Sequence, residues 1–361
     1  MKPTPQWKKI ASDPASRERL VRRSAILAAV RQFFHGRDFL EAETPIMVRY
    51  PGMEPHLDPF ATKLRRQDGD EFPAYLITSP EYSLKKLLAA GFGRVFEITK
   101  CFRNSEPWGE AAGDRPTHNP EFTMIEWYRA GVDYSAIMRD LEELVAAMAE
   151  KNNGSARLSY QGQAIDLSAP WPRLTMAEAF SRHAGLDLGR AIGDPEWFRR
   201  AAGEKGHLVT GQDSFDDIFF KVFLKDIEPK LGLPAPGETA ARPVILYEYP
   251  RSMAALARLK PGDSRYAERF EAYCLGLELA NAFSELNDAV EQRRRLEEES
   301  AERRRTGKVP YELDEQFLEA VAVMPDSAGI AFGLDRLVML LTDAPSIRDV
   351  LFFPAEDLWE R

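Results

Sequence analysis

His118-Asn119-Pro120-Glu121-Phe122-Thr123-Met124-Ile125-Glu126-Trp127-Tyr128 decides how this chain is read, together with the Phe102-Arg103-Asn104 that precedes it. Its counterpart lies far downstream, in Gly329-Ile330-Ala331-Phe332-Gly333-Leu334-Asp335-Arg336-Leu337. Gly329 and Gly333 bracket a short strand, and a helix is predicted from Leu334 to Leu341. Glycine at a strand edge lets a ligand approach the backbone closely. Arg336 falls in the first turn of that helix, where the dipole favours phosphate. Two arginines, a histidine and an aromatic ring flanked by Glu121 and Thr123 are parts suited to gripping a folded nucleoside triphosphate.

The rest of the chain sets bounds on that reading. With 361 residues, 44% hydrophobic and 29% charged, it fills one large or two medium globular domains. No apolar run approaches the roughly 18 to 20 residues of a membrane span. Met1-Lys2-Pro3-Thr4-Pro5-Gln6-Trp7 lacks the apolar core of a signal peptide, so a cytoplasmic protein is expected. Two cysteines build no disulfide framework, and five scattered histidines offer no zinc spacing. A formal charge of −9 disfavours an extensive RNA-binding face, because phosphate contacts dominate such affinity.

Positions 17–34 read as an amphipathic helix with Leu20, Ile26, Leu27, Val30, Phe33 and Phe34 on one face and the arginines off it. Phe39 to Met47 reads as a strand interrupted by Pro45. Short strands are expected at 75–78 and 94–98 around a helix at 81–90, then a helix over 134–151 and a hairpin or loop over 153–168. A helical insertion is expected at about 175–240, followed by strands at 244–247 and 269–278. The charge run 291–305 predicts a solvated helix laced with i to i+4 ion pairs.

The chemistry is assigned from residue types. A guanidinium such as Arg103 presents a rigid fork matching two phosphate oxygens, and it stays charged. Phe122 and Arg336 are placed to sandwich adenine, an arrangement worth about 1 to 2 kcal/mol. His118 and Asn119 supply donors to the triphosphate. In Gly276-Leu277-Glu278-Leu279-Ala280-Asn281-Ala282-Phe283-Ser284-Glu285, two carboxylates stand seven apart. A helix aligns that spacing, whereas a regular strand puts the two on opposite faces.

These motifs resemble motifs 2 and 3 of class II aminoacyl-tRNA synthetases, specifically the lysine enzymes, and residues 17–47 resemble motif 1, which builds a dimer interface in that family. The resemblance covers roughly residues 20 to 355 and implies an α+β fold, an antiparallel sheet flanked by helices with the insertion between motifs 2 and 3. It implies ATP and Mg²⁺, with Arg103, Asn104, Glu106, His118, Asn119, Phe122, Glu278, Leu279, Gly333 and Arg336 on the nucleotide, Arg103 and Arg336 being catalytic. Glu278 and Glu285 are the implied metal ligands. Ser79, Pro80, Glu81, Glu126, Tyr128, Asn281, Glu285 and Ala331 are implied to line the amino-acid pocket.

The motif 1 helix begins near Arg17, leaving no room for an N-terminal OB-fold that reads an anticodon, so a single catalytic domain over 1–361 is expected. That organisation is similar to the elongation factor P–(R)-β-lysine ligases (the PoxA/GenX family). Those enzymes activate (R)-β-lysine as an adenylate and pass it to a lysine of elongation factor P. Ala331 stands where the lysine synthetases carry glycine; its methyl crowds an α-amino group and spares a β-amino one, for about 1 to 3 kcal/mol. Alternatives are activation of L-lysine for another acceptor, or a non-catalytic regulatory paralogue.

Three departures stand out. Ser105 follows Arg103-Asn104 where the family has glutamate, with Glu106 one place later. The loop 107–117 is longer than usual and reads as a lid, an acceptor contact or a tolerated insertion. Ala282 replaces a glycine, which puts the bend of that strand in question.

Overall fold

The computed structural model describes residues 4–108 and 116–359, so the expectation for the 107–117 loop lies largely outside the described residues. The chain opens with α1 (Gln6–Ser12) and α2 (Pro14–His35). α2 starts earlier than its periodicity predicts because the Asp13 carboxylate accepts from the amides of Ala15 and Ser16, and Pro14 takes the first helical position. Its inward stripe is Leu20, Arg23, Ile26, Val30 and Phe34, so Arg23 is buried rather than off the core face. The single strand expected over 39–47 is two, β1 (Leu40–Glu41) and β2 (Met47–Val48), with Pro45 between them.

Next come β3 (Ala61–Arg65), β4 (Glu71–Leu76), α3 (Glu81–Ala89), β5 (Arg94–Phe102), β6 (Glu121–Ala130) and α4 (Tyr134–Asn153). α4 is capped by Asp133 and ends at Gly154 in the left-handed region, φ 74°, where glycine is favoured. β7 (Arg157–Tyr160) and β8 (Gln163–Asp166) form a hairpin, and β9 (Arg173–Thr175) leads into the insertion. The insertion contains α5 (Met176–Ala179), α6 (Leu188–Gly193), α7 (Pro195–Glu204) and α8 (Phe215–Val222). β10 (Val244–Pro250), β11 (Tyr266–Cys274), β12 (Leu277–Ser284), α9 (Ala289–Arg305), α10 (Glu315–Val323), β13 (Ser327–Gly333), α11 (Leu334–Leu341) and α12 (Ala355–Trp359) complete the chain.

Eight strands form one sheet in the order β1-β5-β6-β13-β12-β11-β10-β9. Its six central strands are antiparallel to one another, and only the edge pairs β1–β5 and β9–β10 are parallel. One face packs on α2, α4 and α11 through Ile26, Phe34, Trp127, Leu141, Phe332 and Leu337. The insertion has its own core, built on Phe180, Phe198, Phe219 and Val222 and continued onto Leu246 and Tyr273 at the sheet edge. This is the α+β architecture the sequence implied.

α9 departs from the expectation of a solvated helix. Its outer side carries anticipated pairs such as Arg294 with Glu298, whereas Arg295, paired with Glu291, is buried and donates to Ala257 O at 2.8 Å. Its inner side buries Gln292, Leu296, Ser300 and Arg303. A charge run conceals such a face because an arginine stem packs like an aliphatic side chain while its head finds backbone carbonyls. Among the described residues no helix is long and apolar enough to cross a membrane.

Candidate active site

The face of the sheet opposite α2 and α11 is a floor of polar side chains. Strand register lays Glu97, Glu126, Ala331, Asn281 and Glu271 side by side across β5, β6, β13, β12 and β11. The next rung is Tyr128, Gly329, Phe283 and Arg269. Each belongs to the same pleat face as its neighbours because side chains alternate along a strand. Above this floor lies a cavity of about 120 Å³ lined by Glu54, Ser79, Glu81, Arg103, Glu126, Tyr128, Asn281 and Ala331, among others.

At one end of the cavity carboxylates converge. The Ser79 hydroxyl, just before α3, accepts from the Glu81 amide at 3.1 Å and donates to Glu126 at 2.5 Å. Pro80 is buried behind them. The Tyr128 hydroxyl donates to the other Glu126 oxygen at 2.7 Å. Lys85, one turn along α3, sits 2.5 Å from both Glu81 and Glu285 and is 1% exposed. Burial opposes the charge on Lys85, yet Glu285 and Glu81 together outweigh it and raise its pKa. Glu285 is also 1% exposed. Apart from the Lys85 contact its carboxylate makes no oriented hydrogen bond among the described residues, which leaves acceptor capacity for a buried ligand.

Burial, reinforced by the Glu81 charge, pushes Glu126 up to about 8 despite its two hydroxyl donors. In the free protein Glu126 therefore keeps a proton that an unfolded chain has lost near pH 4.5. The stability this confers is complete below the ordinary carboxylate range and is lost as pH rises through about 8. An ammonium ligand favours the ionised form. Binding of a diamino acid at pH 7 is expected to release protons, read by calorimetry in buffers of different ionisation enthalpy. Enthalpies that do not depend on the buffer would refute this.

Gly329 is needed here for close approach. A Cβ on it would lie 2.1 Å from Tyr128 Cε1 and 2.8 Å from Glu285 Oε1. Gly329→Ala is expected to displace Tyr128 and to raise KM for the amino acid at least about tenfold. An unchanged KM in a folded variant would show that Tyr128 does not shape the pocket.

The other end carries the nucleotide candidates. The Arg103 guanidinium lies over the Phe122 ring, 5.1 Å from its centroid, and 3.6 Å from Glu106. Ser105 adopts φ 63°, a left-handed turn that brings Glu106 back between Arg103 and His118, so the displaced glutamate returns to the crevice. Asn104 is exposed; its amide donates to Asp58 O and its side chain accepts from the Ser105 amide. Arg336 donates to Glu278 O at 2.6 Å and to His118 Nε2 at 3.0 Å. Burial, then the charges of Arg336 and Arg103, lower His118 to about 4, so near neutral pH its ring is uncharged and accepts from Arg336. A Cβ on Gly333 would meet Arg336 and Leu279 O only at ordinary contact distances, 3.5 to 3.7 Å.

Asn119 is not among these groups. Its amide nitrogen donates to Glu121 O and its oxygen accepts from the Ala355 amide at 3.0 Å, so both ends of the side chain are used by the fold. The Ile347 amide adds a bond to Pro116 O at 2.9 Å. Together they stitch the C-terminal segment to the approach to β6.

The relation of Glu278 to Glu285 is decided by one irregularity. Ala272 pairs with Ala280 and Tyr273 with Glu278, so Leu279 is an extra residue in β12. Such a bulge shifts the alternation by one and returns Glu278 to the face of Asn281 and Phe283. Leu279 itself turns into the core, and Ala282 is in regular register, so the bend is at Leu279. Glu285 is committed to Lys85 in the amino-acid end, which does not suit the metal role expected of it. Glu278 has Glu271 as its acidic neighbour instead: burial and the Glu271 charge raise its pKa.

Among the described residues no three His, Cys, Asp or Glu side chains converge on a metal-sized site. Two carboxylates suffice for Mg²⁺ held partly by substrate phosphates and water. Glu278 and Glu271 fit that pattern as a donor set. Glu271 already accepts from Tyr249 at 2.6 Å, from Arg269 at 2.7 Å and from Tyr273, so it is also a structural hub. Lys85, Glu271 and Glu54 were missed in the sequence. The i to i+4 spacing of Glu81 and Lys85 on a helix was available as a signal for the first.

The family of class II tRNA synthetases (D, K and N) matches residues 5–357, and the chain belongs to it. It is similar to the lysine–tRNA ligase of Pelotomaculum thermopropionicum, 40% identical over 345 residues, which cover 95% of this chain and 64% of that protein. The enzyme so named from Moorella thermoacetica is 40% identical over 95% of this chain and 66% of its own. That of Oceanobacillus iheyensis is 38% identical over 96% and 66%. The chain thus spans just under two thirds of the length of these relatives.

Proposed function

We propose that this protein activates (R)-β-lysine with ATP and transfers it to a lysine side chain of translation elongation factor P. The observation that carries the reading is Ala331, whose methyl lines the cavity in register between Glu126 and Asn281. A methyl there takes space from an α-ammonium and leaves a β-ammonium free to reach the acids. In the first step a substrate carboxylate oxygen attacks the α-phosphorus and pyrophosphate leaves. In the second, the acceptor amine attacks the acyl carbon and AMP leaves. The protein positions and stabilises charge rather than supplying a nucleophile.

Arg103, whose guanidinium lies over the Phe122 ring, takes the developing α-phosphate charge; Phe122 and Arg336 are assigned to adenine, and the neutral His118 orients Arg336. Glu106 faces the same crevice. Glu278 and Glu271 would hold Mg²⁺, which would supply charge neutralisation of the phosphates. The exposed apolar residues Val21 of α2 and Leu40, Ile46 and Met47 of the segment that follows it support a homodimer through motif 1.

A second reading is L-lysine activation for an RNA acceptor, favoured by the names of the relatives at 40% identity. Amino-acid-dependent ATP–pyrophosphate exchange with (R)-β-lysine and L-lysine in parallel separates the two. Transfer of labelled product to elongation factor P or to tRNA then fixes the acceptor. Preference for L-lysine, with transfer only to tRNA, overturns the first reading; exchange with neither overturns both.

A further inference from the structure

We infer that Glu54 is a further specificity-determining carboxylate of the amino-acid pocket, gripping a substrate ammonium, and that Arg303 is its positioning residue. The inference rests on reading the pocket as a diamino-acid site. Glu54 lines both the main cavity and a smaller one beside it, and Ser79 and Glu81 are shared with it along that boundary. Its Oε2 is shielded from water and has no hydrogen-bond partner among the described residues.

Each of the other acids of the pocket already has a donor or a cation beside it, although Glu285 keeps acceptor capacity as well. Glu81 and Glu285 share Lys85, and Glu126 accepts from Ser79 and Tyr128. A shielded carboxylate oxygen without a partner is costly unless a ligand supplies one. A diamino acid brings two ammonium groups to a pocket whose buried lysine offsets only part of the acidic charge. Burial and the neighbouring Glu81 raise the pKa of Glu54, in keeping with an acid awaiting a cation.

The backbone around Glu54 is arranged to hold it there. A Cβ on Gly52 would lie 2.3 Å from Glu54 Oε2, so the glycine leaves the carboxylate its space. Arg303, reaching in from α9 and 1% exposed, donates from Nη1 to Glu54 O at 3.0 Å and to Leu57 O at 2.9 Å. Its Nη2 lies 3.3 Å from Asp58 and donates to the Tyr311 hydroxyl at 2.8 Å. Asp58 in turn accepts from the Asn104 amide, next to Arg103. One guanidinium thus fixes the whole wall segment from Glu54 to Asp58.

The test is equilibrium binding by calorimetry to the wild-type protein, Glu54→Gln and Gly52→Ala. The ligands are L-lysine, (R)-β-lysine, norleucine (which lacks the ε-amine) and 6-aminohexanoate (which lacks the other). Glu54→Gln keeps size and removes charge. It is expected to weaken both lysines and one analogue tenfold or more, leaving the other analogue within twofold. Gly52→Ala, which displaces the carboxylate without removing it, is expected to reproduce that pattern. Arg303→Lys should weaken the lysines in the wild-type background and add nothing to Glu54→Gln. Equal losses for all four ligands, or none, overturn the role of Glu54. Failure of the wild-type protein to bind either lysine overturns instead the diamino-acid reading beneath it.

Discussion

Arg103→Ala is expected to lower amino-acid-dependent ATP–pyrophosphate exchange about 10³-fold while leaving the unfolding midpoint nearly unchanged. The two halves of that expectation come from different observations. In the proposed reaction charge builds on the α-phosphate as the substrate carboxylate attacks, and a fixed cation in a half-buried crevice would stabilise it more strongly than water does. The Arg103 side chain bears little of the fold: among the described residues its Nε has no partner, and its nearest counter-charge is Glu106 at 3.6 Å. The backbone holds the residue in place, through Arg103 N to Pro120 O at 2.9 Å and Asn104 N to Asp58 O at 2.7 Å. Arg103→Lys keeps the charge but loses the fork, so an intermediate rate is expected. An alanine variant retaining more than a tenth of the exchange rate would remove Arg103 from the chemistry.

The largest loss of stability is expected at a residue that touches no substrate. Arg23 of α2 lies 2.5 Å from Asp335 and donates to Thr123 Oγ1 at 2.9 Å, and Asp335 also accepts from the Thr123 amide at 2.7 Å. Both charged side chains are buried, at 7% and 3% exposure. Arg23→Ala leaves a buried carboxylate without its cation, a change that costs about 3 to 5 kcal/mol. Replacing Arg23 and Asp335 together by methionine and leucine should cost much less, because no unpaired charge remains. Denaturant titration of the three variants decides the matter, and a loss below about 1 kcal/mol for Arg23→Ala would contradict it. The triad joins α2, β6 and α11, and it keeps Phe122 and Arg336, one residue from Thr123 and Asp335 respectively, in fixed relation.

That triad also shows where sequence stops being readable. The Phe122 and Arg336 motifs were legible because their chemistry is local: glycines, a ring and a guanidinium in short runs. Arg23 was not, since a single arginine on an amphipathic helix looks the same whether it faces solvent or an acid three hundred residues away. Glu278 and Glu285 posed a question of parity that alternation alone left open, and one extra residue at Leu279 answers it. Lys85 and Arg303 are legible only in part for a further reason: Lys85 joins Glu81 of its own helix to the distant Glu285, Arg303 orders the distant segment from Glu54 to Asp58, and only the fold brings these groups together. The strand expected across Pro45 was read too long because a proline interrupts pairing without announcing where pairing resumes.

Asn119 carries a warning for anyone ranking residues by how badly their loss hurts. It stands in the most diagnostic run of the chain, yet its side chain fastens the last helix to the start of β6. A mutational screen scoring only turnover would rank it beside Arg103, although one is a rivet and the other a tool. Thermal melting of each variant, run alongside the rate assay, tells them apart.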